Sequence, residues 1–139
     1  MRNDGSSILC GKHILIVEDN ELNAEILSAL LEREGASFDI CENGKAALDT
    51  FVHAAPGTYD LILMDVQMPV MNGYEATSAI RDSSHPQARI IPIIAMTANA
   101  FTEDIQDALR AGMNAHVAKP VDMNVLEDTI RTVLGACRG

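Results

Sequence analysis

Five times along this chain a short aliphatic run is followed by a stretch with helical spacing. The first run, His13-Ile14-Leu15-Ile16-Val17, is apolar on both faces and stops at two acids, Glu18 and Asp19. A strand that is apolar on both faces is covered on both sides, as in a parallel sheet. Asn20 can cap the helix that follows. Its apolar residues Leu22, Ile26 and Leu30 recur at i, i+4 and i+8, Leu27 and Leu31 widen the face, and Gly35 ends it.

The same unit then repeats. Phe38 to Cys41 reads as the second strand, and Ala47, Leu48, Phe51 and Val52 as the inner face of a helix broken by Pro56-Gly57. Leu61 to Met64 is the third strand, ending at Asp65. A loop with Pro69 and Gly73 leads into a helix through Tyr74, Thr77 and Ile80. Ile91 to Met96 is the fourth strand. Its helix is capped by Thr102, turns Ile105, Ala108 and Leu109 inward, and closes at Gly112. Ala115 to Ala118 is the fifth strand, and Asp122 caps a last helix with Leu126, Ile130, Val133 and Leu134 inward. Strands alternating with helices at this spacing predict a parallel sheet with helices on both faces. Five units are too few for an eight-stranded barrel. The expected fold is therefore α/β: a single flavodoxin-like (βα)5 domain with strand order 2-1-3-4-5.

At 139 residues the chain has room for one such domain. Residues 1–11 are polar and Gly/Ser-rich and read as a flexible tail or linker; 12–135 hold the domain and 136–139 a C-terminal tail. No apolar run approaches the roughly 20 residues of a membrane span, and no charged-then-apolar leader opens the chain. Twenty acids against ten bases give a net charge of -10, which argues against a nucleic-acid surface. Three cysteines far apart, with no CxxC pair, support neither zinc nor a disulfide framework and suit a reducing, cytoplasmic setting.

In an open parallel sheet, ligands bind beyond the carboxyl ends of the strands. Those ends carry Glu18 and Asp19, then Asp65, then Thr97, then Lys119. A lone acid in such a place is most simply a cap or a solvated loop residue. Three acids converging on one crevice repel one another unless a cation neutralises them, and a wet all-oxygen site suits Mg²⁺. Acids with one lysine and one hydroxyl also make a phosphoryl-transfer set: a carboxylate nucleophile, cations for the equatorial oxygens and a hydroxyl donor. Neither GxxxxGK[ST] nor GxGxxG occurs, so no nucleotide site is evident and the phosphoryl group must come from another donor. The scattered His13, His53 and His85 show no ligand spacing, and the methionines read as packing residues.

Four segments in order carry a specific resemblance. Ile-Leu-Ile-Val-Glu-Asp-Asn (14–20), Leu-Ile-Leu-Met-Asp-Val-Gln-Met-Pro-Val-Met-Asn-Gly (61–73), Met-Thr-Ala-Asn-Ala (96–100) and Ala-Lys-Pro-Val-Asp (118–122) resemble a response regulator receiver domain of two-component phosphorelay signalling. The run from Asp65 to Thr77 most resembles receivers attached to hybrid sensor histidine kinases. The resemblance implies that Asp65 is the phosphoacceptor. It implies Mg²⁺ held by the carboxylates of Asp19 and Asp65 and the Gln67 carbonyl, with Glu18 as the further acid. Lys119 would pair with the acceptor carboxylate, and Thr97, beside the small Ala98, would be the switch hydroxyl. Lys119-Pro120 would be a cis peptide. His116 departs from the pattern: it stands three residues before the lysine, where many receivers carry Tyr or Phe.

The resemblance further implies a phosphohistidine donor, either a kinase core or a histidine-phosphotransfer domain, docking on the first helix around Asn23, Ala24 and Leu27 and the loop at Pro120. It implies self-promoted phosphorylation and dephosphorylation rather than turnover catalysis. A stand-alone single-domain response regulator is one alternative, since too few residues follow the last helix for an output domain. A Mg²⁺-dependent phosphatase with an aspartyl nucleophile is another. It would want a second acid two residues after the nucleophile, where this chain has Gln67. A degenerate receiver that only docks, and a flavin-binding domain, are weaker readings.

Overall fold

A computed structural model describes residues 9–66, 68, 70–97, 102–119 and 121–137, without the side chains at 102–105, 123 and 134–137. In chain order the elements are β1 (His13–Val17), α1 (Glu21–Arg33), β2 (Ser37–Cys41), α2 (Gly44–His53), β3 (Leu61–Asp65), α3 (Gly73–Asp82), β4 (Ile93–Thr97), α4 (Thr102–Ala111), β5 (Ala115–Ala118) and α5 (Met123–Cys137). The five strands are all parallel, in the order β2-β1-β3-β4-β5, as the alternation predicts.

Alternate residues of each inner strand feed two cores, because successive side chains on a strand point to opposite faces. Leu15, Val17, Ile62, Met64, Ile93 and Ala95 pack on one face with Phe51 of α2 and Ile80 of α3. Ile14, Ile16, Leu61, Leu63, Ile94 and Met96 pack on the other with Leu27 and Leu31 of α1 and Leu126 and Ile130 of α5. Each fully buried aliphatic side chain contributes roughly 1.5–3 kcal/mol, so β1, β3 and β4 form a rigid floor.

Two helices start where the sequence indicates. The Asn20 side chain accepts from the Asn23 N–H, and Asp122 accepts from the Asn124 and Val125 N–H groups. Asn72 and Glu75 close a reciprocal capping box at the start of α3. Thr102 as a cap and Ile105 and Leu134 as inward residues lie outside the described side chains.

Three expectations change. In α1 the inward stripe is Ala24, Leu27 and Leu31, whereas Leu22 and Ile26 are 65% and 53% exposed. Two apolar stripes run along this helix, and only packing against the sheet selects one. In α4, Ala108 is buried but Leu109 is 58% exposed. Ordered packing also begins before Lys12: Leu9 is fully buried among the residues of the α1/α5 face. The Gly11 N–H donates to the Gly35 carbonyl and the Lys12 N–H to the Leu9 carbonyl, which tie this entry to the end of α1.

Candidate functional site

The carboxyl ends of β1, β3, β4 and β5 lie side by side, which brings the polar residues at their ends to one crevice. Asp65 closes β3 in register with Met96, and Thr97 closes β4 in register with Ala118. The backbone braces these ends against each other: Val66 N–H donates to Met96, and Lys119 N–H to the Thr97 carbonyl. Glu18, Asp65 and Thr97 are all buried, at 3%, 4% and 8% exposure, while Asp19 is open to solvent.

Lys119 reaches back over the crevice. Its Nζ lies 3.1 Å from Glu18 Oε1 and 3.3 Å from Asp65 Oδ2. Glu18 is fixed further by accepting from the Asn20 N–H at 3.2 Å. Burial, and then the neighbouring Glu18, push the Asp65 carboxyl up to about 6 from 3.8, against the opposing pull of Lys119. For Lys119 itself, burial works to lower its pKa, but Asp65 and Glu18 outweigh it and hold the ammonium above the usual lysine range. A carboxylate this unwilling to ionise beside a lysine indicates a deficit of positive charge.

The geometry shows where more positive charge would go. Glu18, Asp19 and Asp65 each offer a carboxylate oxygen, and the three oxygens lie within 4.8 Å of one another. An all-oxygen, acidic and partly open donor set fits a hard divalent cation such as Mg²⁺. Of the residues expected here, the structure brings together Glu18, Asp19, Asp65 and Lys119, with Thr97 on the neighbouring strand end. Gln67, Ala98 and Pro120, and with it the cis Lys119-Pro120 bond, lie outside the described residues. His116 is half-buried in β5.

Gly73 is a site residue that sequence reasoning placed only in a loop. A Cβ there would run into the Asp65 carbonyl oxygen and meet the Val66 Cα at 3.0 Å. The start of α3 therefore passes directly over the phosphoacceptor candidate, and its N–H donates to the Val66 carbonyl. The sequence signal was present in the Asn72-Gly73-Tyr74-Glu75 order, a helix start whose first residue has no side chain.

Beside the crevice lies an apolar groove of about 330 Å³ between α1 and the segment after β5, lined in part by Asn23, Ile26, Leu27, Leu30 and Val121. Of the residues expected to contact a donor, Asn23 and Leu27 line this groove. Ala24, buried against the sheet like Leu27, lines a second groove towards β2 instead.

A profile of the response regulator receiver domain matches residues 14–131. The chain is similar to Hybrid signal transduction histidine kinase I of Dictyostelium discoideum, 40% identical over 131 residues that make up 92% of this chain and 7% of that protein. It thus spans a small fraction of the length of this curated relative. Among solved structures it resembles the receiver domain of sensor histidine kinase PA1611 from Pseudomonas aeruginosa, which has a magnesium ion coordinated in its active-site cleft. The TM-score is 0.79 at 37% identity, covering 91% of this chain and 99% of that one. It also resembles a Saccharomyces cerevisiae co-crystal of the histidine phosphotransfer protein Ypd1 with the receiver domain of the response regulator Ssk1. There the TM-score is 0.77 at 32% identity, with 89% of each chain covered.

Proposed function

This chain belongs to the response regulator receiver domain family, and from that premise we propose that Asp65 takes a phosphoryl group from phosphohistidine within a hybrid histidine kinase. The observation that carries the reading is the buried Asp65 carboxylate, facing Lys119 at 3.3 Å and sharing an oxygen cluster with Glu18 and Asp19. An Asp65 oxygen attacks phosphorus, the phosphorus–nitrogen bond to the donor imidazole breaks, and the imidazole leaves with its electron pair and takes up a proton. Lys119 stays against the phosphoryl oxygens, and the Thr97 hydroxyl donates to one of them. Glu18, Asp19 and Asp65 would hold Mg²⁺, with the Gln67 carbonyl as a further ligand; the ion supplies charge neutralisation at the phosphoryl oxygens.

The donor, a helical phosphohistidine protein, fits the apolar groove formed by Ile26, Leu27, Leu30 and Val121, which opens beside Lys119. Once phosphorylated, Asp65 carries more negative charge, Thr97 is drawn inward, and His116 turns into the space vacated beside β5. A cytoplasmic setting goes with the proposed phosphohistidine donor. Among the described residues no helix is long and apolar enough to cross a membrane. The aspartyl-phosphatase reading would want an acid two residues after the nucleophile, where this chain has Gln67, and the family match favours the receiver.

Transfer from a labelled histidine-phosphotransfer protein tests the reading. Wild type should acquire an acid-stable, base-labile label in the presence of Mg²⁺, and Asp65→Asn should acquire none. An Ile26→Glu change in the groove should slow transfer from the protein but leave reaction with a small phosphodonor intact. Equal loss of both reactions would place the defect in the crevice and remove the docking assignment.

A further inference from the structure

The side of α1 that faces away from the donor groove borders a second groove, of about 480 Å³, which runs from Asp19 along the edge strand β2. Its floor is apolar. Phe38 is half-buried, and Ile40 of β2 is 45% exposed, an unusual position for an isoleucine in a sheet. Among the described residues β2 pairs only with β1, which makes it an edge strand. Small residues on α1, Ala24, Ser28 and Ala29, keep the groove open.

Its walls are acidic. Glu21, Glu25 and Glu32 of α1 and Glu42 after β2 line it together with Asp19, all exposed, and no lysine, arginine or histidine is among its lining residues. The described ion pairs of the domain involve none of these five acids. An apolar strip framed by like charges on a chain of net charge -10 selects its occupant by complementarity. A second copy would bring five more carboxylates to the same place, and a nucleic acid or an anionic lipid surface would be repelled in the same way.

We propose that this groove docks a basic amphipathic segment of a partner protein, with apolar side chains on Phe38 and Ile40 and lysines or arginines reaching Glu21, Glu25, Glu32 and Glu42. The donor groove lies on the other side of α1, so both can be filled together. The assignment does not depend on the role of Asp65.

The test is fluorescence anisotropy of a labelled short peptide alternating lysine and leucine, with a peptide alternating glutamate and leucine as control. Only the basic peptide should bind saturably, and added salt should weaken it. The double reversal Glu25→Lys/Glu32→Lys should weaken binding roughly tenfold, since it turns attractions into repulsions. Ile40→Ser, which leaves charge unchanged, should weaken it severalfold. The reversal Asp107→Lys/Asp128→Lys, on exposed positions of α4 and α5, changes net charge equally and should leave binding within about twofold. If that control weakens binding as much as the groove reversal, the peptide is held by net charge and the proposal fails. It fails equally if Ile40→Ser has no effect. Sedimentation showing a dimer that Ile40→Ser dissolves would assign the face to self-association instead.

Discussion

The Lys119 ammonium, just past the end of β5, stands 3.3 Å from the Asp65 carboxylate at the end of β3, and it is also the ion partner of Glu18. One cation thus serves two buried acids. Removing it takes the shared cation from two buried acids, a change that costs more than the pair itself contributes. Lys119→Met should therefore destabilise the metal-free protein by about 2–3 kcal/mol in urea unfolding. It should also slow phosphorylation by a small phosphodonor, while Asp65 remains the site. Stability equal to wild type would mean that the lysine is solvated rather than paired.

Asp65 makes the metal-free protein sensitive to pH. Its carboxyl is raised from 3.8 to about 6, so the folded state holds this proton more tightly than the unfolded chain does. The stability that this provides is complete below about pH 4 and is lost as pH rises through about 6. Asp65→Asn does not titrate. Without divalent ions the variant should be more stable than wild type at neutral pH, on the order of 2 kcal/mol, and the gap should close towards pH 4. Saturating Mg²⁺ should narrow the gap at neutral pH by stabilising wild type. A difference that is flat with pH would contradict the raised carboxyl.

Gly73 holds the start of α3 against the end of β3. A methyl group at this position has nowhere to go except into the Asp65 carbonyl. Gly73→Ala should cost about 1–3 kcal/mol, despite the better helix propensity of alanine, and should reduce phosphorylation by displacing Asp65. Urea denaturation measures the first effect and a small-phosphodonor assay the second. A stabilised Gly73→Ala protein would show that the loop moves aside freely.

Thr77 is fully buried in α3, and among the described residues its hydroxyl has no hydrogen-bond partner. A buried hydroxyl left unpaired carries an uncompensated desolvation cost. Thr77→Val keeps the branched shape and removes the hydroxyl, so it should stabilise the fold by about 1 kcal/mol in thermal or urea unfolding. A comparable loss would reveal a partner for that hydroxyl.

Much of this domain is legible in the sequence where local pattern and global burial agree. β1 and β3 are apolar on both faces because helices cover both, and the polar residues that end them lie at the crevice by the geometry of parallel sheets. Legibility fails where the choice is tertiary. The stripes Leu22-Ile26-Leu30 and Ala24-Leu27-Leu31 are equally periodic in α1; only the sheet decides which is inward. Leu9 lies in a polar stretch with no periodicity, yet its side chain fills the core. The contact of Lys119 with Glu18 spans 101 residues, and no local pattern encodes it. The same holds for the network at the other end of the sheet, where the Tyr59 hydroxyl donates to Asp39 and His13 bridges Asp39 and Ser37. The Tyr59 bond, more than the histidine, holds the Asp39 carboxyl below its usual range.

Direct mapping of the modified residue tests whether Asp65, and no other acid of the crevice, takes the phosphoryl group. The protein is treated with a small phosphodonor and Mg²⁺, reduced with borohydride, digested and sequenced by mass spectrometry. Borohydride converts an aspartyl phosphate to homoserine, so the account predicts homoserine at position 65 and unmodified Glu18 and Asp19. A reduced residue at 18 or 19, or a phosphoryl adduct that persists in Asp65→Asn, would contradict it.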